Sequence, residues 1–343
     1  MSIVITLAII AVLVLAHEWG HFFAARKIGI PVYEFSIGFG YRLWSSKRDG
    51  VLFSVRLIPL GGFVRLAGEE AGDMEDPNGY ANRTPYEKMA VSFAGPFMNF
   101  VLAFFIFICS YALIGMPYSA DEPVIGKVLN GSPAYLAGLQ KGDRITNING
   151  VEIGTWTILE ANARNTGLAS LRIEYERQGE HLKADIAPAI LDSVGNTGMG
   201  VMPVTYYQRY GVTESLIIGI ELTYDLTAAL LSSLGTLISG KASVDDVAGP
   251  VGITRMVGDF ARMGISSLLF FTAFLSINLG VMNLLPIPAL DGARILFSLI
   301  EVIRRKPINK EREGFLHWVG LLLLMALMAI ITFNDIVRWI KGW

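Results

Sequence analysis

The arrangement of apolar residues along the chain predicts several membrane-spanning helices. Three runs are long and apolar enough to cross about 30 Å of hydrocarbon as helices: residues 3–25, residues 89–113, and residues 265–303 with a break. A fourth run covers residues 315–339. The first run has no basic residue before it and contains ionisable side chains. We therefore interpret it as a retained helix and not as a signal peptide.

A further apolar segment, residues 213–239, carries acidic side chains. Glu221 and Asp225 are four residues apart, so a helix places them on one face. Apolar residues are available for the opposite face: Ile217, Ile218, Leu222 and Leu226. This pattern predicts that residues 205–264 form an interfacial amphipathic segment, which leaves four transmembrane helices.

Composition and charge agree with a membrane protein. Of the 343 residues, 52% are hydrophobic and 17% charged, and the mean hydropathy is +0.49. The net charge of -2 does not indicate a nucleic-acid partner. Lys and Arg are concentrated between the first two helices and between the last two, so we expect both segments to be cytoplasmic. Residues 114–264 and both termini would then lie outside the cytoplasm.

Residues 122–204 predict a small α+β domain with short alternating strands and glycine-marked turns. Residues 131–150 read GSPAYLAGLQKGDRITNING, which resembles a PDZ domain of the bacterial type. Domains of that type bind extended chain ends by adding a strand to their sheet. A spacer domain with an empty groove is equally consistent with the sequence.

The first predicted helix contains His17-Glu18-Trp19-Gly20-His21. This spacing puts two imidazoles one turn apart on one face, as two ligands of a single zinc ion require. Glu18 lies beside them and is a candidate to take a proton from an attacking water. Ionisable residues within a transmembrane helix are costly, so we expect them to face a partner, a cavity or an ion.

A catalytic zinc site needs a third protein ligand, and Asp291 is the best candidate. It belongs to residues 283–292, NLLPIPALDG, where two prolines interrupt an apolar run. Irregular backbone at membrane depth occurs only where protein or a water-filled cavity surrounds it, which indicates a site. His181 and His317 lack such a context. Alternatively, Asp291 could simply cap the following helix.

Together these motifs resemble the site-2 protease family of membrane metalloproteases, and within it the bacterial proteases that regulate sigma-E. Four shorter motifs strengthen the resemblance: FSIGFG at 35–40, PLGGFV at 59–64, GPFMN at 95–99 and GPVGI at 249–253. The resemblance implies a zinc metalloendopeptidase with Zn²⁺ bound by His17, His21 and Asp291. It further implies that Glu18 is the catalytic base and that Asn283 and Pro288 hold the substrate near the metal.

The resemblance also implies a location and a substrate class. The protein is expected in the bacterial inner membrane, in contact with lipid. There it would cut transmembrane segments of single-pass proteins, such as an anti-sigma factor, and remnant signal peptides. A membrane-associated β-hairpin is expected after the first helix, and an exposed edge at residues 51–58 could pair with an unwound substrate. Two features depart from the family pattern: a single PDZ domain, and Ala293-Arg294 where Gly-His usually follows L-D-G.

The sequence thus predicts an α-helical polytopic membrane protein with four transmembrane helices, a membrane-associated β-hairpin and one inserted α+β PDZ domain. Its predicted parts are residues 1–115, 122–204, 205–264 and 265–343. A non-enzymatic PDZ scaffold is the alternative function, although all four catalytic positions are filled. A transporter is disfavoured, because the chain has four predicted spans and no internal repeat.

Overall fold

A computed structural model of the chain describes residues 2–69, 76–165, 169–190, 197–240 and 248–341. The chain forms two compact units. The helical unit comprises Met1–Leu113 and Tyr210–Trp339, and the inserted unit comprises Ile114–Arg209 together with Ile340–Trp343.

The helices in chain order are α1 (Ser2–Ile28), α2 (Pro85–Cys109), α3 (Pro133–Leu136), α4 (Trp156–Asn165), α5 (Val212–Ile238), α6 (Pro250–Met263), α7 (Ile265–Asn283), α8 (Asp291–Arg304) and α9 (Lys310–Lys341). The strands are β1 (Val32–Arg48), β2 (Val51–Leu66), β3 (Met116–Ser119), β4 (Ile125–Val128), β5 (Arg144–Ile148), β6 (Val151–Glu152), β7 (Leu171–Arg177), β8 (Glu180–Ile186), β9 (Ala189–Ile190), β10 (Thr197–Gly198), β11 (Val201–Pro203) and β12 (Thr205–Gln208).

Within the described residues, five helices are long and apolar enough to cross a membrane: Ser2–Ile28, Pro85–Ile114, Val212–Leu237, Ile265–Asn283 and Glu311–Arg338. The chain is therefore a multi-pass membrane protein, but the predicted count of four spans is not confirmed by helix length and composition. The predicted break in the third span is present. It divides that run into α7 and α8, of which only α7 has the length and composition of a span.

The interfacial position predicted for residues 213–239 is not confirmed. As expected, Glu221 and Asp225 lie on the exposed face of α5. The opposite face, however, packs along α2 and α7 through residues spaced four apart: Ile218, Leu222, Leu226, Leu230 and Leu234. This row extends about 24 Å at 1.5 Å per residue. The hydrophobic periodicity therefore identified the polar face of α5 correctly. It could not indicate whether lipid or other helices cover the apolar face.

The strands β1 and β2 bend, so that their paired stretches form a sheet of four runs. Phe35 pairs with Val64 on one side and with Phe53 on the other, and Phe53 in turn also pairs with Ser46. Runs 34–37 and 52–55 are parallel, because their paired residue numbers rise together. The order across the sheet is 42–48, 51–56, 32–37, 62–66.

This order corrects the expected position of the exposed edge. Residues 52–55 have strand partners on both sides, so they lie inside the sheet. The register gives residues 62–66 a partner on one side only, within the part of the chain that the structure describes. The same holds for residues 42–48 at the opposite border. The sequence predicts a simple hairpin. It does not indicate that β1 bends and pairs with β2 through two separate runs.

A buried carboxylate holds three runs of the sheet together. Glu34, 4% exposed, accepts hydrogen bonds from Ser54 Oγ and Arg56 Nη2, both at 2.7 Å. Arg42 Nη2 lies 3.6 Å from the same carboxylate. Burial alone would raise the pKa of Glu34, but the hydrogen bonds from Ser54 and Arg56 outweigh it, and the pKa lies below its ordinary value.

The inserted unit is an α+β domain with its own core. Its main sheet has the order β6-β5-β7-β8, and α4 covers it through Leu159 and Ala163. Asp143 belongs to the glycine-rich motif. It is 1% exposed, and its carboxylate accepts two hydrogen bonds from Arg177, at 2.7 and 2.8 Å. This pairing gives the motif's acid a structural role within the domain.

Candidate metal centre

The helices α1 and α2 run antiparallel and fit closely at the level of the histidines. A β-carbon added to Gly20 would lie 2.1 Å from the carbonyl oxygen of Ala94, so only glycine permits this approach. Likewise, a β-carbon on Gly95 would lie 2.3 Å from Nε2 of His21. Glycines at both positions therefore give the imidazole of His21 room between the helices.

Groups on α2 orient both imidazole rings. Nδ1 of His21 lies 2.8 Å from the carbonyl oxygen of Val91, which can only accept, so Nδ1 carries the proton and Nε2 keeps a lone pair. The side-chain amide of Asn99 lies 3.2 Å from Nδ1 of His17. Oδ1 of the same amide is buried and has no other hydrogen bond. Because Nε2 of His17 points toward His21 and Asp291, its Nδ1 carries the proton, and the oxygen end of the Asn99 amide is the end that can accept it.

Asp291 reaches the histidines from the first turn of α8. The N-cap position is Leu290, so the alternative in which Asp291 serves as the cap is wrong. A β-carbon on Gly292 would lie 2.2 Å from the carbonyl oxygen of Leu285, which explains the glycine after the aspartate. Oδ2 of Asp291 lies 3.1 Å from Nε2 of His17 and 3.4 Å from Nε2 of His21.

These three atoms have the arrangement of a metal-binding set. The two Nε2 atoms are 3.2 Å apart, so the three atoms form a nearly equilateral triangle. Ligands about 2.0–2.1 Å from a tetrahedral zinc ion lie about 3.3 Å from one another. Oδ2 of Asp291 is buried and receives no hydrogen bond despite the nearby nitrogens. Three acceptor atoms this close repel one another unless a cation lies between them, so the residues fit zinc.

Glu18 lies on the same helix next to the ligand set and faces the glycine-rich end of β2. A β-carbon on Gly62 would lie 3.4 Å from Cγ of Glu18 and 2.7 Å from the carbonyl oxygen of Ser36. The outer run 62–66 therefore passes directly beside the candidate base. No larger residue fits at position 62 without moving the sheet.

The remaining predicted site residues lie at the end of α7 and in the break that follows it. Asn283 ends α7 and donates its side-chain amide to the carbonyl oxygen of Leu279 at 3.0 Å. Pro288 is half-buried against Gly320 of α9. Both flank the stretch that leads to Asp291, and their predicted contact with substrate stays a prediction.

Arg294, the residue at which the chain departs from the family pattern, forms an ion pair. Arg294, one turn after Asp291, pairs with Glu69, which lies three residues after the end of β2. At the other end of α8, Lys88 and Glu301 form a buried ion pair of 3.0 Å with α2. These two pairs fix α8, and with it Asp291, to the sheet and to α2.

Sequence reasoning missed Asn99 and Gly95 as parts of the centre. The GPFMN motif contained the signal, because its glycine and asparagine are four apart, like the two histidines. The relation appears only in the structure, where α1 and α2 run antiparallel. Gly95 then lies opposite His21, and Asn99 lies opposite His17.

Comparisons with known proteins place the chain in a family. Residues 5–327 match the model of Peptidase family M50. The zinc metalloprotease RasP of Bacillus licheniformis is 33% identical over 98% of this chain and 99% of that protein. The regulator of sigma-W protease RasP of Bacillus subtilis is 30% identical over 98% of both. A putative zinc metalloprotease of Clostridium perfringens is 36% identical over 98% of this chain and 99% of that one.

Among solved structures, the PDZ domain of an SdrC-like protein from Listeria monocytogenes is similar over 25% of this chain and 92% of that chain, with a TM-score of 0.23 and 24% identity. The family assignment rests on the sequence relatives, which cover nearly the whole chain. The chain belongs to Peptidase family M50, the site-2 proteases, and is a multi-pass membrane metalloprotease whose cofactor is zinc.

Proposed function

We propose that this protease hydrolyses a peptide bond within the transmembrane segment of single-pass membrane proteins, with His17, His21 and Asp291 as the zinc ligands and Glu18 as the catalytic base. The observation that carries the proposal is the convergence of Nε2, Nε2 and Oδ2 beside Glu18, at a helix contact inside the apolar part of the chain. A scaffold without activity would not need these lone pairs directed at one point.

Each residue has a defined task in this proposal. Zinc bound there supplies Lewis acidity toward the scissile carbonyl and toward water. The carboxylate of Glu18 takes a proton from the attacking water and delivers it to the leaving amide nitrogen. The carbonyl of Val91 and the amide of Asn99 keep the imidazoles in one tautomer and orientation. We further assign substrate contacts to Asn283 and Pro288, because they flank the loop before Asp291.

The outer run 62–66 is the edge that we assign to substrate binding. A transmembrane helix must unwind before its peptide bonds can be attacked, and the released N–H and C=O groups need partners at that depth. Among the described strands, residues 62–65 have a partner on one side only, and Gly62 lies beside Glu18. Strand addition there would bring an extended substrate to the base.

We propose that the chain crosses the membrane four times, by α1, α2, α7 and α9. This agrees with the contacts made at the two ends of the segment that contains α5. Tyr210 donates its N–H to the carbonyl oxygen of Tyr111, at the end of α2. Gly258 of α6 lies beside Ser2, at the start of α1. Because α1 and α2 are antiparallel, both contacts are at the same side of the unit. These contacts support a segment that begins and ends on the same side of the membrane, although α5 has the length of a span.

We place that side outside the cytoplasm of a bacterial inner membrane, together with the inserted unit, Ile114–Arg209. The supporting observation is the concentration of Lys and Arg between α1 and α2 and around the junction of α8 and α9. We propose that the inserted unit is a PDZ domain. The name of the Bacillus subtilis relative, regulator of sigma-W protease, favours an anti-sigma factor as the substrate class. Remnant signal peptides are a second proposed class.

Reconstitution in lipid vesicles tests this function. Wild type and Glu18→Gln would be incubated with a single-pass model substrate, and mass spectrometry would locate the cut. The matched control is Glu221→Gln, which changes an exposed acid on α5. The expected result is cleavage inside the span by wild type and control, and none by Glu18→Gln. Cleavage only outside the span, or equal cleavage by all three, would overturn the proposal.

A further inference from the structure

His317 of α9 makes a contact that the proposed chemistry does not use. Its Nδ1 accepts a hydrogen bond from the backbone N–H of Ala289 at 2.9 Å. In the neutral ring the proton therefore lies on Nε2. The ring also meets the edge of Phe297 of α8, with the ring centroids 5.6 Å apart. The imidazole thus lies between α9, α8 and the loop that joins α7 to α8.

Ala289 has a backbone conformation that needs support. Its φ is +79°, in the left-handed region that residues with a β-carbon rarely adopt. Such a conformation persists only where the surroundings fix it. Pro288 precedes it and Asp291 is two residues further on, so the turn at Ala289 sets the direction in which the chain enters α8.

A second contact on the same face of α9 supports the same loop. Gly320 is three residues after His317, which places both on one face. A β-carbon on Gly320 would lie 2.4 Å from Cβ of Pro288 and 2.5 Å from its carbonyl oxygen. The glycine therefore allows α9 to approach the loop closely enough for the histidine to reach Ala289.

We infer that His317 is a positioning residue: by accepting the N–H of Ala289 it fixes the turn that presents Asp291 to the metal and Pro288 to the substrate. This inference rests on the proposed role of Asp291 as a ligand. Through this contact α9 affects the metal centre, although α9 provides none of the proposed ligands. It also gives a function to a histidine that lacks a motif in the sequence.

The test replaces His317 by asparagine or by glutamine. The amide of each replacement lies near a different nitrogen of the imidazole ring. In His317→Asn, Oδ1 lies close to the position of Nδ1 and can accept from Ala289, whereas in His317→Gln the amide lies near the position of Nε2. His317→Leu removes the acceptor. For each purified full-length variant, zinc affinity is measured by chelator competition, together with kcat and KM on a model peptide, hydrogen exchange at the Ala289 amide, and the unfolding temperature without zinc.

The expected result is a 10–100-fold loss of zinc affinity in His317→Leu and His317→Gln, with faster exchange at Ala289. His317→Asn should stay within about threefold of wild type. Gly320→Ala should also weaken zinc binding, whereas Gly314→Ala on the same helix, with open space around it, should not. If the leucine variant does not fold, the comparison of Asn with Gln decides.

Zinc affinity unchanged in His317→Leu, or equal in the Asn and Gln variants, would overturn the inference. Glu18→Gln, measured in parallel, separates this failure from failure of the proposed function. If Glu18→Gln is inactive and His317→Leu binds zinc normally, only the role of His317 is wrong. If Glu18→Gln cleaves normally, the proposed function itself is wrong.

Discussion

The side-chain amide of Asn99 on α2 lies 3.2 Å from Nδ1 of His17 on α1. Asn99 is fully buried, and its backbone carbonyl accepts a hydrogen bond from Ser276 Oγ of α7 at 2.8 Å. One residue thus links the helix of the histidines to two neighbouring helices. The orientation of His17 therefore depends on the packing of α1, α2 and α7.

Replacing Asn99 should weaken zinc binding without removing a ligand. In Asn99→Leu, Nδ1–H of His17 loses its acceptor, and we expect zinc affinity to fall about 10–100-fold. Asn99→Asp keeps an acceptor oxygen and should retain most of the affinity. Chelator competition measures both. A leucine variant with wild-type affinity would show that Asn99 does not orient the ring.

Gly95 provides a steric test of the same centre. Its β-carbon in Gly95→Ala would collide with the imidazole of His21, so either the ring or the helix contact must move. We expect at least roughly tenfold weaker zinc binding and a loss of stability of about 1–3 kcal/mol. Gly235→Ala on α5 is the control, because nothing lies within 4 Å of its added β-carbon. Equal zinc content in both variants would contradict the geometry.

The sequence singled out three side chains that the structure brings together, because each has a local signature. The two histidines are one turn apart in a single helix, and Asp291 follows a proline-interrupted stretch, which at membrane depth needs protein or a water-filled cavity around it. In the structure Oδ2 of Asp291 lies within 3.4 Å of Nε2 of both histidines, whereas His317 contacts the loop before Asp291. Asn99 could not be predicted in this way, because its importance depends on the register of α2 against α1.

The features of the fold that the sequence did not predict have a common cause. Local patterns identified the polar face of α5 and the strand character of residues 32–66. They could not indicate that α5 packs along α2 and α7, or that β1 bends so that run 52–55 becomes interior. Both features come from contacts between residues far apart in sequence, for which hydrophobic periodicity contains no information.

Proline substitution tests the edge assigned to substrate. Backbone N–H groups alternate along a strand between the partner and the open side, so Phe63→Pro and Val64→Pro should differ. The variant whose lost N–H faced outward should keep its unfolding temperature and lose cleavage of a helical substrate, while still cutting an unfolded peptide. Ser46→Pro, at the opposite border of the sheet, is the control. If both prolines at 63 and 64 leave helical-substrate cleavage intact, residues 62–66 are not the binding edge.

The lowered pKa of Glu34 predicts how the stability of the sheet changes with pH. A carboxylate with a folded-state pKa below its ordinary 4.5 stabilises the fold above that value. This contribution disappears as the pH falls through the folded-state pKa. Glu34→Gln should therefore be less stable than wild type by roughly 2 kcal/mol near neutral pH, with a smaller difference at an acidic pH well below 4.5. A constant difference between thermal unfolding curves at the two pH values would contradict this.

The zinc content of the purified protein, measured for wild type, Glu18→Gln and Asp291→Ala, tests the central claim most directly. The account predicts one zinc per chain in wild type and in Glu18→Gln, since Glu18 is not a ligand. It predicts a large loss of zinc in Asp291→Ala, where a corner of the ligand triangle is missing. Full zinc content in Asp291→Ala would contradict the proposed ligand set, and loss of zinc in Glu18→Gln would contradict the role of Glu18 as the base.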